Sequence, residues 1–161
     1  MKELENKKLV IGCDHAGYDY KCRLIARLEM LGYEVTDVGT YSSESCDYPV
    51  PVHALCKKIQ SGEFTRGILI CGTGIGVSIA ANKHKGIRAA VCSDPYSTEM
   101  TRKHNDANVI CMGARVLDFT KVCEFTDIFL NTEALAEERH VRRQRMIAEL
   151  EDGTFDDKKY E

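Results

Sequence analysis

The stretch Gly67-Ile68-Leu69-Ile70-Cys71-Gly72-Thr73-Gly74-Ile75-Gly76-Val77-Ser78-Ile79-Ala80-Ala81-Asn82 leaves this chain few folds to choose from. Its opening apolar run has the pattern of a strand buried on both faces, which belongs to a parallel sheet covered by helices. Glycines at 72, 74 and 76 then permit a tight turn and a close approach of a ligand to the backbone. The small apolar residues from Val77 to Ala81 read as the first turns of a tightly packed helix. A strand, a glycine turn and a helix start together aim free N–H groups at an anion or a developing oxyanion. Cys71 stands at the C-terminal end of the strand, where open α/β sheets place their ligands, and a thiol beside a helix start is a candidate for activation.

The same alternation extends both ways. Lys8 to Gly12 reads as a first strand that ends in Cys13-Asp14-His15-Ala16-Gly17, followed by a helix to about Met30 with Gly32 as its stop. Glu34 to Gly39 is a second strand, and Tyr48-Pro49 leads into a helix carrying Val52, Leu55, Cys56 and Ile59. Arg88 to Cys92 is a fourth strand, and Asp94-Pro95 opens a helix as N-cap and first-turn proline. Asn108 to Gly113 is a fifth strand, and two closing helices run from about Asp118 to Leu130 and from Thr132 to Leu150. Strands alternating with helices predict a three-layer α/β/α, Rossmann-like sandwich around a five-stranded parallel sheet. Residues 1–150 read as one domain, and residues 151–161, charged and apolar-poor, as a loose tail.

Composition excludes some classes. At 161 residues and a net charge of −3, the chain is no bulk binder of nucleic acid or of an anionic membrane. No run approaches the roughly 18 apolar residues of a membrane span, and Met1 to Glu5 is no signal peptide. The 8 cysteines include no C-x-x-C pair and none near a histidine pair at helical spacing, so the sequence offers no zinc site. Cys13, Cys92 and Cys111 read as buried structural thiols, and a reduced, cytoplasmic compartment fits best.

Asp14 and His15 lie near Cys71 if the first and third strands are neighbours, although Asp14 also suits a helix cap. The turn is neither G-x-G-x-x-G with a ribose-binding acid nor a Walker loop, which argues against a dinucleotide or ATP. On the last helix Arg142 has Glu138 four residues before it, and Arg145 has Glu149 four residues after. Arg139 and Arg143 have no such partners and adjoin each other, a natural clamp for a phosphate. His104-Asn105-Asp106 ends a helix just before a strand, where a histidine is a candidate acid or base. Tyr48 is a candidate ligand contact, and His53 and His84 receive no role.

These pieces resemble one family: ribose-5-phosphate isomerase type B with its galactose-6-phosphate isomerase relatives. The matching segments are Gly12 to Gly17, Asp47-Tyr48-Pro49, Cys71 to Gly76, Ala81-Asn82-Lys83, Gly86 to Ala89, His104 to Asn108, Met112 to Arg115 and Arg139-His140, in order over about residues 8–147. The resemblance implies interconversion of ribose 5-phosphate and ribulose 5-phosphate through an enediolate, with neither metal nor organic cofactor. Carried onto this sequence, Cys71 is the general base, and His104, assisted by Thr73, is the acid that opens the furanose ring. Asp14, His15, Tyr48 and Asn105 hold the sugar, and the backbone of Gly72, Gly74, Ile75 and Gly76 steadies the oxyanion. Arg115, Arg139 and Arg143 grip the phosphate. The resemblance also implies a homodimer, some members pairing into tetramers, with His104, Asn105 and Arg115 as candidates to serve the neighbour's Cys71. Two alternatives stay open: an isomerase of a six-carbon phosphate such as allose 6-phosphate or galactose 6-phosphate, and a non-catalytic sugar-phosphate binder.

Overall fold

A computed structural model describes residues 7–160. Five strands, β1 (Lys8–Cys13), β2 (Glu34–Asp37), β3 (Gly67–Cys71), β4 (Ala89–Val91) and β5 (Val109–Gly113), form one sheet in the order β2-β1-β3-β5-β4. Every pairing is parallel. The three inner strands are the continuous apolar runs, and the two edge strands carry the partly exposed residues.

Alternation along the strands sorts the core into two layers. Leu9, Ile11, Ile68, Ile70, Ile110 and Met112 face α1 (Tyr18–Met30) and α5 (Phe119–Asn131), packing on Leu24, Leu28, Val122, Phe125 and Phe129. Val10, Leu69, Cys71, Val109 and Cys111 face the other way, onto Val52, Leu55 and Cys56 of α2 (Pro49–Gln60) and Val77 and Ala81 of α3 (Ile75–Ala81). Covering both faces of an all-parallel sheet removes its apolar rows from water, about 25 cal/mol for each Å². The layered α/β/α architecture is the expected one.

Local chemistry sets the ends of these elements. Asp94 accepts from Ser97 N–H and Pro95 opens α4 (Pro95–Asn105), as expected from the Asp-Pro pair. Gly74, at φ +80°, caps α3 in the left-handed region, and a Cβ there would stand 3.1 Å from the Met112 carbonyl carbon. Only glycine lets the turn lie this close to β5.

The last helix departs from expectation. It begins at Glu138, not Thr132, and runs as α6 to Asp152. Residues 132–137 stay non-helical because α4 claims their backbone: Leu135 N–H donates to Lys103 O, and Thr132 O accepts from Arg102 Nε. The charged end expected to be loose folds back on α6. Glu149 accepts from Lys159 Nζ and Tyr160 OH, both at 2.8 Å, Phe155 stacks on Tyr160, and Glu151 accepts from Gly86 N–H.

Candidate active site

β1 and β3 are neighbours, with Cys13 opposite Ile70, and Asp14 N–H donates to Ile70 O at 3.1 Å. This brings the Asp14-His15 segment to the same edge of the sheet as Cys71. Asp14 is 7% exposed, and its Oδ1 accepts from Ala16 and Gly17 N–H, so the capping reading of this carboxylate is fulfilled. The His15 ring lies under the loop before α2, its Nδ1 3.5 Å from Cys46 N. Tyr48 lays its ring on the glycine turn: a Cβ on Gly76 would stand 2.9 Å from Tyr48 Cζ. Arg115 covers the turn from the β5 side, with its Cδ 3.4 Å from a Cβ built on Gly72 and its N–H donated to Gly72 O.

Cys71 sits among these groups as the last residue of β3, 5% exposed, with Gly74 N–H donated to its Sγ at 3.1 Å. Four further buried cysteines lie in surroundings that favour the thiol. Burial pushes Cys13 up to about 12 and Cys56 and Cys92 to about 11, and raises Cys111 well above its ordinary value. Within the turn, Ile75 N–H is taken by Thr73 Oγ1 at 3.3 Å and Gly74 N–H by the sulfur. Two of the amides expected to face a ligand are therefore already engaged.

A second group of candidates gathers elsewhere. His104 and Asn105 end α4, which returns antiparallel to the strands, so they lie at the edge where β5 begins. Cys71 pairs with Gly113, where β5 ends. The strand between them spans roughly 13 Å at the usual rise per residue. Asp106, left-handed at φ 46°, locks this corner by accepting from Arg102 at 2.8 Å and Arg88 at 3.0 Å. The His104 ring stacks on His140 of α6, with centroids 4.3 Å apart and planes 5° from parallel. Arg139 and Arg143 flank His140 on the same helix.

One chain thus carries two half-constellations at opposite edges of its sheet. Cys71, Thr73, the glycine turn, Asp14, His15, Tyr48 and Arg115 hold one edge. His104, Asn105, Arg139 and Arg143 hold the other. Arg115, grouped above with the α6 arginines, lies instead with its own chain's Cys71.

Other pairings differ too. Arg139 has a partner, Glu137, with Nε to Oε2 at 2.9 Å. Among the described residues no ion pair joins Arg142 to Glu138, and none joins Arg145 to Glu149, which is taken by Lys159 and Tyr160. His53 and His84, given no role, meet through Nδ1 and Nε2 at 2.9 Å. His140 follows Arg139, and nothing local in the sequence announces its stack on His104 across 36 positions. No cluster of three or more His, Cys, Asp or Glu that could hold a metal occurs among the described residues. Nor is any helix there long and apolar enough to cross a membrane.

Residues 9–147 match the model of the Ribose/Galactose Isomerase family. The chain belongs to that family. The isomerase is 45% identical to ribose-5-phosphate isomerase B of Escherichia coli K12 over 145 residues, covering 90% of this chain and 97% of that one. It is 38% identical to galactose-6-phosphate isomerase subunit LacB of Clostridium acetobutylicum over 123 residues, 76% of this chain and 71% of the other. The solved ribose-5-phosphate isomerase B of Clostridium thermocellum superposes with a TM-score of 0.88 at 45% identity, covering 91% of this chain and 98% of that one. The isomerase is a sugar-phosphate enzyme of the aldose–ketose class.

Proposed function

We propose that this isomerase interconverts ribose 5-phosphate and ribulose 5-phosphate through an enediolate, with Cys71 as the general base. His104 donates a proton to the furanose ring oxygen as the C1–O bond breaks, and the anomeric hydroxyl gives up its proton to solvent as C1 becomes the carbonyl, with Thr73 assisting. The Cys71 thiolate then takes the proton from C2, the C–H electrons form the C1–C2 double bond, and the former carbonyl oxygen carries the charge. Amide N–H groups of the turn left free by Cys71 and Thr73 receive that oxyanion. The C2 hydroxyl proton passes to O1, and the C2–O carbonyl forms as the double-bond electrons take the proton back from Cys71 at C1. Preorganised donors and a positioned base each contribute about a hundredfold or more in comparable reactions. Asp14, His15, Tyr48 and Asn105 orient the sugar, and Arg139 and Arg143, with Arg115, hold the phosphate.

The observation that carries this reading is the placement of Cys71 at the end of β3, beside the glycine turn and Arg115 and accepting from Gly74 N–H. A second copy completes the site. His104, Asn105, Arg139 and Arg143 stand at the wrong edge to reach their own chain's Cys71. Ile75 and Ile79, one helical turn apart on α3 beside Cys71, are exposed and suit an apolar contact between copies.

The direct test is turnover of ribose 5-phosphate by the purified protein and by Cys71→Ala, in EDTA. Turnover that vanishes in a folded variant supports reaction and base together. Turnover of galactose 6-phosphate or allose 6-phosphate alone replaces the substrate, and binding without turnover of any of them replaces the enzyme reading.

A further inference from the structure

His140 has a defect in its surroundings. The residue is 4% exposed, and its Nε2 is buried with no hydrogen-bond partner, an unfavourable state for a polar atom. The nearest carboxylate oxygen, Glu137 Oε2, is 3.9 Å away, beyond hydrogen-bond range. It is held off because the same oxygen pairs with Arg139 Nε at 2.9 Å. Burial lowers the proton affinity of His140, and His104, Arg139 and Arg143 lower it further while Glu137 opposes them. These influences favour the neutral imidazole, and in its Nε2–H tautomer the unpartnered nitrogen is a donor that a carboxylate can satisfy. Glu137 itself precedes α6 with extended backbone and no capping bond from its side chain, so its carboxylate can turn without unwinding the helix.

We propose that Glu137 is a place-holding counter-ion that neutralises Arg139 in the empty protein and passes to the Nε2–H of His140 when a phosphate takes Arg139. This rests on the reading of Arg139 and Arg143 as the phosphate grip and His104 as the ring-opening acid. No covalent bond or proton moves. Arg139 exchanges a carboxylate for a phosphate, and the released carboxylate closes a gap of about 1 Å, the excess of 3.9 Å over a normal N–H···O distance, to satisfy His140. His140 in turn backs the His104 ring through the parallel stack, so it and Glu137 are positioning residues. The exchange also selects for charge. A dianionic phosphate displaces the carboxylate, whereas an uncharged sugar does not.

The Arg139–Glu137 pair is more than half exposed on both sides, so its loss changes phosphate affinity by only about two- to fivefold. One hydrogen bond on His140 corresponds to about two- to tenfold in kcat. The test measures inhibition by inorganic phosphate and turnover of ribose 5-phosphate in the full chain. Glu137→Ala should lower the inhibition constant for phosphate and lower kcat in the same protein. Glu137→Gln, which can accept from His140 but cannot neutralise Arg139, should keep the lowered inhibition constant and restore kcat. His140→Phe should lower kcat at a normal inhibition constant, and Glu137→Ala should cost nothing more in that background.

A purely structural Glu137 would leave the inhibition constant unchanged in both variants, and that result overturns the proposal while leaving the phosphate grip intact. If inorganic phosphate inhibits Arg143→Gln as well as the unaltered protein, or fails to inhibit the latter, the grip itself falls and the proposal with it.

Discussion

Lys21 and Asp37 form an ion pair whose two halves differ in their access to water, and their removal should cost unequal amounts. The Lys21 ammonium is fully buried, donating to both Asp37 oxygens at 2.6 and 2.7 Å and to Thr40 O at 2.6 Å. The Asp37 side chain is 30% exposed and also accepts from Gly39 N–H. Asp37→Ala strands a charge in the interior, a change that costs about 3–5 kcal/mol in buried pairs. Water entering through the vacated carboxylate site puts the expectation near the lower end, about 3 kcal/mol. Lys21→Met removes the buried charge and fills most of its volume, while Asp37 keeps water and Gly39. The remaining cost is an unmet Thr40 carbonyl, about 1 kcal/mol.

For a chain of this size each kcal/mol moves Tm by about 2–4 °C, so Asp37→Ala should melt about 6–12 °C lower and Lys21→Met about 2–4 °C lower. Urea unfolding at one fixed protein concentration should show the same order with unchanged slopes. The contact also holds the Gly39-Thr40 segment against Cys13, next to Asp14, through Thr40 N–H to Cys13 O at 2.8 Å. Equal costs, or a larger loss for Lys21→Met, would show that attraction rather than desolvation governs the pair and would refute the reasoning.

Two further outcomes follow from the geometry. Gly74→Ala places a Cβ at φ +80° and 3.1 Å from the Met112 carbonyl carbon, so it should destabilise by about 1–2 kcal/mol for the left-handed conformation alone and sharply reduce turnover, read by melting and a ribose 5-phosphate assay. Hydrogen bonds from Lys159 and Tyr160 hold the Glu149 carboxyl below its usual range, so docking of the end of the chain is complete above the unfolded carboxyl value of about 4.3 and is lost as pH falls through the lower folded value. Tyr160 resonances should report that release at a pH below the ordinary carboxylate range, and Glu149→Gln should release the segment at neutral pH.

How far the sequence speaks depends on whether the deciding contact is local. The apolar run Ile68-Leu69-Ile70 and the Asp94-Pro95 start carry their structure within a few residues, and both read correctly. The start of the last helix does not. Its choice of Glu138 over Thr132 depends on Lys103 and Arg102, about 30 residues away, claiming the connecting backbone. Helical spacing suggested Glu149 for Arg145, but a turn ten residues on supplies Lys159 and Tyr160 instead. The two edges of the site were within reach of a topological argument, because a helix between parallel strands must return to the starting edge. The family resemblance already offers His104, Asn105 and Arg115 to a neighbour's Cys71; the topology agrees for His104 and Asn105 and keeps Arg115 beside its own chain's Cys71. The stack of His140 on His104 has no sequence signal at all.

The central claim is that each working site takes Cys71 from one copy and His104 from another. Mixing Cys71→Ala with His104→Ala, after dissociation and reassociation, tests it most directly. Both homodimers should be inactive, and random pairing in a two-fold dimer should restore about a quarter of the unaltered activity, from the one intact site in each mixed dimer. No recovery, with mixed dimers demonstrated by mass, would mean that each site is built within a single chain and would contradict the account.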